Sequence, residues 1–113
     1  MGDPLDPTTV MGPIISDGSV QRILGVIDNA VKRDRARLVM GGERLGGEYA
    51  AGYYLPLTII ADVDDQSSLA QHEVFGPVLH IIRYDPADIA KIGAQLAAKG
   101  YGLTLGVHSR LES

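Results

Sequence analysis

The sequence predicts an α/β fold: a partial sheet with flanking helices, closing in a C-terminal parallel βαβ unit. Three observations predict it. Val20, Ile23, Leu24, Ile27 and Val31 recur at helical spacing. Short β-branched runs, Leu57-Thr58-Ile59-Ile60 and Val78 to Tyr84, are too brief for helices and suit strands. Between Val78 and Val107 a strand-like run, a helical pattern and a second strand-like run follow in order. Strand, helix and strand of such lengths make a right-handed crossover with parallel strands.

The elements follow along the chain. Residues 1–15 read as extended loop. Met1 to Pro13 holds three prolines and two glycines without apolar periodicity, and Ile14 and Ile15 are candidate anchors for it. Ser16 is a candidate N-cap for a helix over Asp17 to Asp34, although Gly18 weakens its first turn. The basic run Lys32-Arg33-Asp34-Arg35-Ala36-Arg37 is broken by an acid and reads as a solvated helix end, where cations suit the helix dipole. Arg37-Leu38-Val39-Met40 is a short strand ended by Gly41-Gly42. Glu43 to Gly52 is a loop, and Tyr53 to Leu55 an extended stretch. Pro56 places the second strand at an edge or a bend. Ser67 to Gln71 is a short helix. Val78 to Tyr84, with little alternation, is expected to be a central strand buried on both faces. Asp85-Pro86 has the residues of a helix start, Gly100 those of a helix stop, and Leu103 to Val107 those of a last strand.

At 113 residues the chain is one domain at most, residues 16–113 forming its α/β body. Hydrophobic residues make up 45%, enough to exclude a disordered chain. The formal charge of −4, with signs mixed, gives no footprint for nucleic acid. No apolar run approaches the roughly 20 residues of a membrane span, and no signal-peptide pattern opens the chain. The absence of cysteine excludes disulfides, thiolate metal sites and a cysteine nucleophile. A cytoplasmic location is the expectation.

Several motif readings fail on spacing. The glycines of the 43–52 loop match neither phosphate-loop nor dinucleotide fingerprints. Asp62, Asp64 and Asp65 lack the glycine and distant Glu of a calcium loop. His72, His80 and His108 lack metal-ligand spacing, so no metal is expected. No Gly-x-Ser-x-Gly elbow supports a serine nucleophile.

Most of the chemical information lies in Gln71-His72-Glu73-Val74-Phe75-Gly76-Pro77-Val78-Leu79. A carboxylate stands two residues before the only phenylalanine, and a Gly-Pro turns the chain into an apolar run. Gly76 is expected to take a backbone conformation barred to other residues, and Pro77 to begin the strand. From the residues alone two readings stand. Glu73 and Phe75 are a surface acid and a core ring at a strand start, or an acceptor pair beside a flat ring that holds a sugar diol bearing a planar group.

This segment, "HEVFGPVL", resembles the Glu-x-Phe-Gly-Pro signature of the aldehyde dehydrogenase superfamily. "GDPLDPTTVMGPIIS", "ARLVMGG" with "GYYLPLTII", and "YGLTLGV" resemble further blocks of that family, in its order, nearly spanning the chain. The resemblance implies part of a three-layer catalytic domain. It implies oxidation of an aldehyde to an acid with NAD or NADP as hydride acceptor. Glu73 would bind the nicotinamide ribose hydroxyls and Phe75 would pack near the ring. His72 replaces a second acid common in the family. The family's nucleophilic cysteine, general base and dinucleotide half lie upstream, so the chain resembles an internal piece, inactive alone, with weak or absent cofactor binding. Expected partners are the remainder of the dehydrogenase or a second copy. "FGPVLHIIRY" and "GYGLTLGVHSR" look particularly like the glutamate-semialdehyde branch. The competing reading is a non-catalytic α/β interaction or ligand-binding module derived from the fold. Glu73 and Phe75 are expected on a solvent-open surface after the short helix, with Phe75 bordering the core.

Overall fold

A computed structural model describes residues 1–100, 102–108 and 110. The chain divides into two units, residues 1–83 and 84–113.

In the first unit the N-terminal 15 residues form turns without helix or strand. Asp3 and Asp6 accept from the backbone N–H groups of Leu5 and Thr8, the local pairing that keeps such loops compact. Helix α1 spans Asp17–Lys32. Ser16 Oγ accepts from Ser19 N at 3.2 Å, satisfying one of the donors a helix start leaves open. The helix buries Val20, Ile23, Ile27 and Ala30, the face its apolar spacing defines. It stops two residues before the expected end. Arg35 takes a φ of +57°, and Ala36 N bonds back to Ala30 O at 3.0 Å.

Strand β1 is Arg37–Met40, β2 is Thr58–Ala61 and β3 is Val78–His80, in the order β1-β2-β3. β1 and β2 are antiparallel, with a register irregularity between Leu38 and Met40, whereas β2 and β3 are parallel. Helix α2, Ser68–Gln71, lies in the crossover between them and is capped by Ser67 Oγ. The parallel βαβ unit within residues 1–83 is therefore β2-α2-β3, one strand earlier than the sequence suggested.

The core lies between the helices and one face of the sheet: Val20, Ile23 and Ile27 from α1, Ile60 from β2, and Leu69 and Ala70 from α2, with Leu55 and Val63. Residues alternate across a strand, so Ile59 points away from the face that buries Thr58 and Ile60. Its cross-strand partners are Met40 on one side and Leu79 on the other, and both are exposed.

Three strand expectations need correction. β2, not β3, is central; Pro56 marks the bend before it, where its missing N–H does no harm. β3 is an edge strand of three residues, although Ile81 N still bonds to Ile60 O at 2.8 Å. It is not buried on both faces. Leu79 is 58% exposed, because nothing in residues 1–83 covers that side.

In the second unit Asp85 accepts from Ala87 N at 2.9 Å and starts a 3₁₀ turn, Pro86–Asp88, that runs into helix α3, Ile89–Ala98. Gly100, at φ +73°, ends it as a residue without a Cβ readily can. No residue of α3 is buried. The last strand is not formed: the described residues 102–108 carry no strand, and Leu103, Leu105 and Val107 are exposed. Alternating apolar residues suit a sheet, but a strand needs a partner ladder and a face to bury, and these residues have neither. The C-terminal βαβ unit is accordingly incomplete. Tyr101, in one of the family-like blocks, lies outside the described residues.

Candidate functional site

Glu73 and Phe75 lie where α2 ends and before β3 begins. Ser67 caps α2 through Ala70 N at 3.3 Å, and His72 Nδ1 lies 3.1 Å from Ser68 O. The chain then leaves the helix in extended geometry at His72. Glu73 is exposed and, among the described residues, makes no ion pair or side-chain hydrogen bond. Its two oxygens are available to an external donor pair.

Phe75 is 77% exposed, so its ring stands in solvent rather than bordering the core. The reason is a backbone turn. Phe75, not Gly76, carries the positive φ, +50°, and this aims its ring away from the packed side. Gly76 is required for a different reason than conformational freedom. A β-carbon on it would stand 2.6 Å from Ile23 Cδ1, so the backbone at Gly76 lies directly on α1. Val74, between Glu73 and Phe75, is half-buried against the core. Arg22, one turn into α1, donates from Nη1 to Val74 O at 2.6 Å. On the far side Val78 N bonds to Gly76 O and Thr58 N to Pro77 O, each at 2.8 Å.

The result is a short, tethered arch that presents one carboxylate and one aromatic ring, two residues apart, to solvent. Chemically it offers hydrogen-bond acceptance and a flat apolar surface. It holds no nucleophile, and cysteine is absent from the sequence. Open grooves include one of 600 Å³ that runs along α1 past Leu24, Val31, Leu38 and Arg44, and one of 340 Å³ on the open sheet face between Met40, Leu57 and Leu79, which reaches Gly76 and Pro77 of the arch. Neither is lined by Glu73 or Phe75. Among the described residues no three His, Asp or Glu side chains are placed to share a metal ion, and no helix is long and apolar enough to cross a membrane.

Sequence reasoning singled out Glu73 and Phe75 but missed Arg22 and the packing role of Gly76. Arg22 looks like any other solvated helix residue, and its acceptor is 52 positions away. Gly76 beside Pro77 read as a turn, and only the position of Ile23 shows otherwise.

The model of the aldehyde dehydrogenase family matches residues 1–113. The chain is 39% identical over 107 residues to a betaine aldehyde dehydrogenase of Cereibacter sphaeroides, covering 95% of this chain and 21% of that protein. The structure resembles an aldehyde dehydrogenase from Bacillus cereus with a TM-score of 0.77 at 30% identity, over 91% of this chain and 20% of that one. It resembles a Mycobacterium tuberculosis aldehyde dehydrogenase complexed with NAD+ with a TM-score of 0.69 at 43% identity, over 79% of this chain and 18% of the other. The chain thus spans about a fifth of the length of the curated relative.

Proposed function

The chain belongs to the aldehyde dehydrogenase family, and from that premise we propose that it forms the part of an NAD(P)-dependent catalytic domain in which Glu73 and Phe75 hold the nicotinamide riboside. The observation that carries this reading is the tethered arch, which leaves both side chains solvent-exposed and Glu73 without an ion pair or side-chain hydrogen bond among the described residues. A ribose diol needs two acceptors in fixed positions, and a nicotinamide ring needs a flat neighbour. The residues present fit that group.

The bound nicotinamide would accept the hydride as an aldehyde is oxidised to an acid. The protein's share here is positional. Glu73 accepts from the two ribose hydroxyls and so fixes the sugar. Phe75 limits the tilt of the ring attached to it. Orientation of this kind is a large part of what a protein contributes to cofactor chemistry. The nucleophile that attacks the aldehyde has to come from residues outside this sequence, which has no cysteine. The substrate is proposed only as an aldehyde. The Phe75–Tyr84 segment resembles the glutamate-semialdehyde branch, whereas the relative 39% identical is a betaine aldehyde dehydrogenase.

A carboxylate and one ring supply a small share of dinucleotide affinity, so binding to this chain alone is weak, roughly millimolar or weaker. NAD+ is titrated into the labelled chain while amide resonances are followed, with Glu73→Gln as control and calorimetry in parallel. The reading expects shifts centred on residues 72–76, reduced in the variant. Shifts elsewhere, or indifferent to Glu73→Gln, would sink it. Micromolar calorimetric affinity would instead show that the chain needs no further dinucleotide contacts.

A second reading has its own observation. The row Met40, Ile59 and Leu79, half-buried at Ile59 and exposed at both ends, is an apolar sheet face that residues 1–83 leave open. We infer that the remainder of a family domain covers it, since the chain matches only a fifth of its curated relative.

A further inference from the structure

Phe75 is a residue with a β-carbon held at a φ of +50°, the left-handed region that such residues rarely occupy. A conformation of this kind persists only where the surroundings over-determine it. The ring does not do so, because it is 77% exposed. The constraint must come from the flanking peptide groups. On the C-terminal side there is ample cause: Gly76 rests on Ile23, Gly76 O is bonded to Val78 N, and Pro77 O to Thr58 N. On the N-terminal side α2 has already ended at Gln71. Between that point and Phe75, Arg22 makes the one side-chain hydrogen bond to the 73–77 backbone found among the described residues. It runs 2.6 Å from Nη1 to Val74 O. The peptide that Arg22 grips is the one joining Val74 to Phe75, the unit whose orientation φ of Phe75 describes.

We propose that Arg22 is a positioning residue for the nicotinamide subsite: its grip on the Val74 carbonyl holds Phe75 in the left-handed conformation and so sets the Phe75 ring relative to the Glu73 carboxylate. The proposal rests on the reading of Glu73 and Phe75 given above, and it gives Arg22 no contact with the cofactor. A guanidinium suits the task. It stays charged, its donors are fixed in a plane, and a charge-assisted bond to a carbonyl is stronger than a neutral one. Arg22 is exposed on α1, so the bond is available without a buried unpaired charge.

The test compares the full chain with Arg22→Met, which keeps a long stem and good helix propensity but removes the donor, and with Arg22→Lys, which restores a cationic donor. Circular dichroism establishes that each is folded. Two readouts follow, one without ligand. Scalar couplings across the Phe75 N–Cα bond report φ directly. The expected result is loss of the positive-φ signature at Phe75 in Arg22→Met and its recovery, in whole or part, in Arg22→Lys. The second readout is titration with nicotinamide mononucleotide. The shift it induces at Phe75 should fall severalfold in Arg22→Met while Glu73 still responds. A Phe75 φ unchanged in Arg22→Met overturns the proposal whatever the ligand does. If φ changes as expected but the wild-type chain shows no response to the mononucleotide at Glu73 or Phe75, the nicotinamide reading fails and with it Arg22's assignment to that subsite, while its hold on the arch stands. Retained φ dependence with a ligand response untouched by Arg22→Met also overturns the proposal, because the conformation would then not govern the subsite.

Discussion

Gly76 and Ile23 meet without room for a methyl group. A β-carbon on Gly76 would lie 2.6 Å from Ile23 Cδ1 and 3.0 Å from Cγ1, and Ile23 is fully buried. The arch bearing Glu73 and Phe75 is thereby seated on α1, and its distance from the core is fixed by the absence of one side chain. Gly76→Ala should destabilise the chain by about 1–3 kcal/mol, the range for overpacking a well-filled site. Ile23→Val removes the nearest obstructing carbon at a cost of about 0.5–1.5 kcal/mol on its own. In the double variant the two losses should not add, since the second substitution makes room for the first. Urea denaturation of the four proteins measures this, and strict additivity would show that the contact does not constrain the arch.

Gly41 poses a harder case. It has a φ of +75°, and a β-carbon there would stand 2.5 Å from Leu57 O and 2.8 Å from Thr58 Cα. These are backbone atoms at the start of the central strand, and they cannot rotate aside as an Ile side chain can. The neighbouring Gly42 N donates to Thr58 Oγ1 at 3.0 Å, so the same turn also satisfies a buried threonine. Gly41→Ala combines left-handed strain with a backbone collision and should cost at least roughly 2 kcal/mol. Gly46→Ala, which meets nothing within 4 Å and has no positive φ, serves as the control and should change stability by less than about 0.5 kcal/mol. Equal effects of the two in thermal melts would contradict the geometry.

What the sequence disclosed and what it concealed divide by range of interaction. Ser16 ahead of an apolar stripe, Arg37–Met40 before two glycines, Ser67 ahead of a short helix and Asp85-Pro86 all carry local instructions, and each sits where expected. Strand neighbours carry no local signal. Val78 to Tyr84 reads as a central strand because its residues are apolar, yet only Val78–His80 forms a strand, at the end of the β1-β2-β3 order and with Leu79 exposed. Leu103 to Val107 has a strand's alternation but no strand. The candidate site was half legible. Glu73 and Phe75 were visible through motif resemblance, whereas the pairings that shape the arch, Arg22 with Val74 and Gly76 with Ile23, join positions about fifty apart. The positive φ at Phe75 could not be read beside a glycine, the residue that ordinarily takes it.

Asp6 supplies a pH-dependent contact. Its Oδ1 accepts from both Thr8 N and Thr8 Oγ, each at 2.8 Å. The backbone bond, and after it the hydroxyl, favour the charged carboxylate and hold its pKa below the usual aspartate value. Folding lowers this pKa, so the contribution is present above the unfolded aspartate pKa and is lost as pH falls through the lowered one. The group is fully exposed, and the effect should be confined to the 3–9 loop. A carboxyl-carbon titration should show Asp6 deprotonating at lower pH than a model aspartate. Thr8→Ala should move it back only in part, because the backbone donor remains. A midpoint unaffected by that substitution would exclude the hydroxyl as a contributor.

Leu79 is an exposed end of an apolar row that runs from Met40 through the half-buried Ile59 across the sheet, beside a shallow hollow of 340 Å³. Such a row invites association when nothing covers it. The same exposure makes Leu79 a position where a polar residue does little harm to folding. It is 58% exposed and contributes nothing to the buried cluster behind the sheet. Leu79→Lys should therefore change unfolding free energy by no more than about 0.5 kcal/mol, while adding the charge by which natural edge strands resist pairing. Ile60→Lys, on the opposite face of β2 and fully buried, should prevent folding altogether. Sedimentation velocity across a wide concentration range should show the unmodified chain growing heavier with concentration and Leu79→Lys doing so less. A chain that stays monomeric throughout, or a variant that associates as the parent does, would remove the open face as the cause of association.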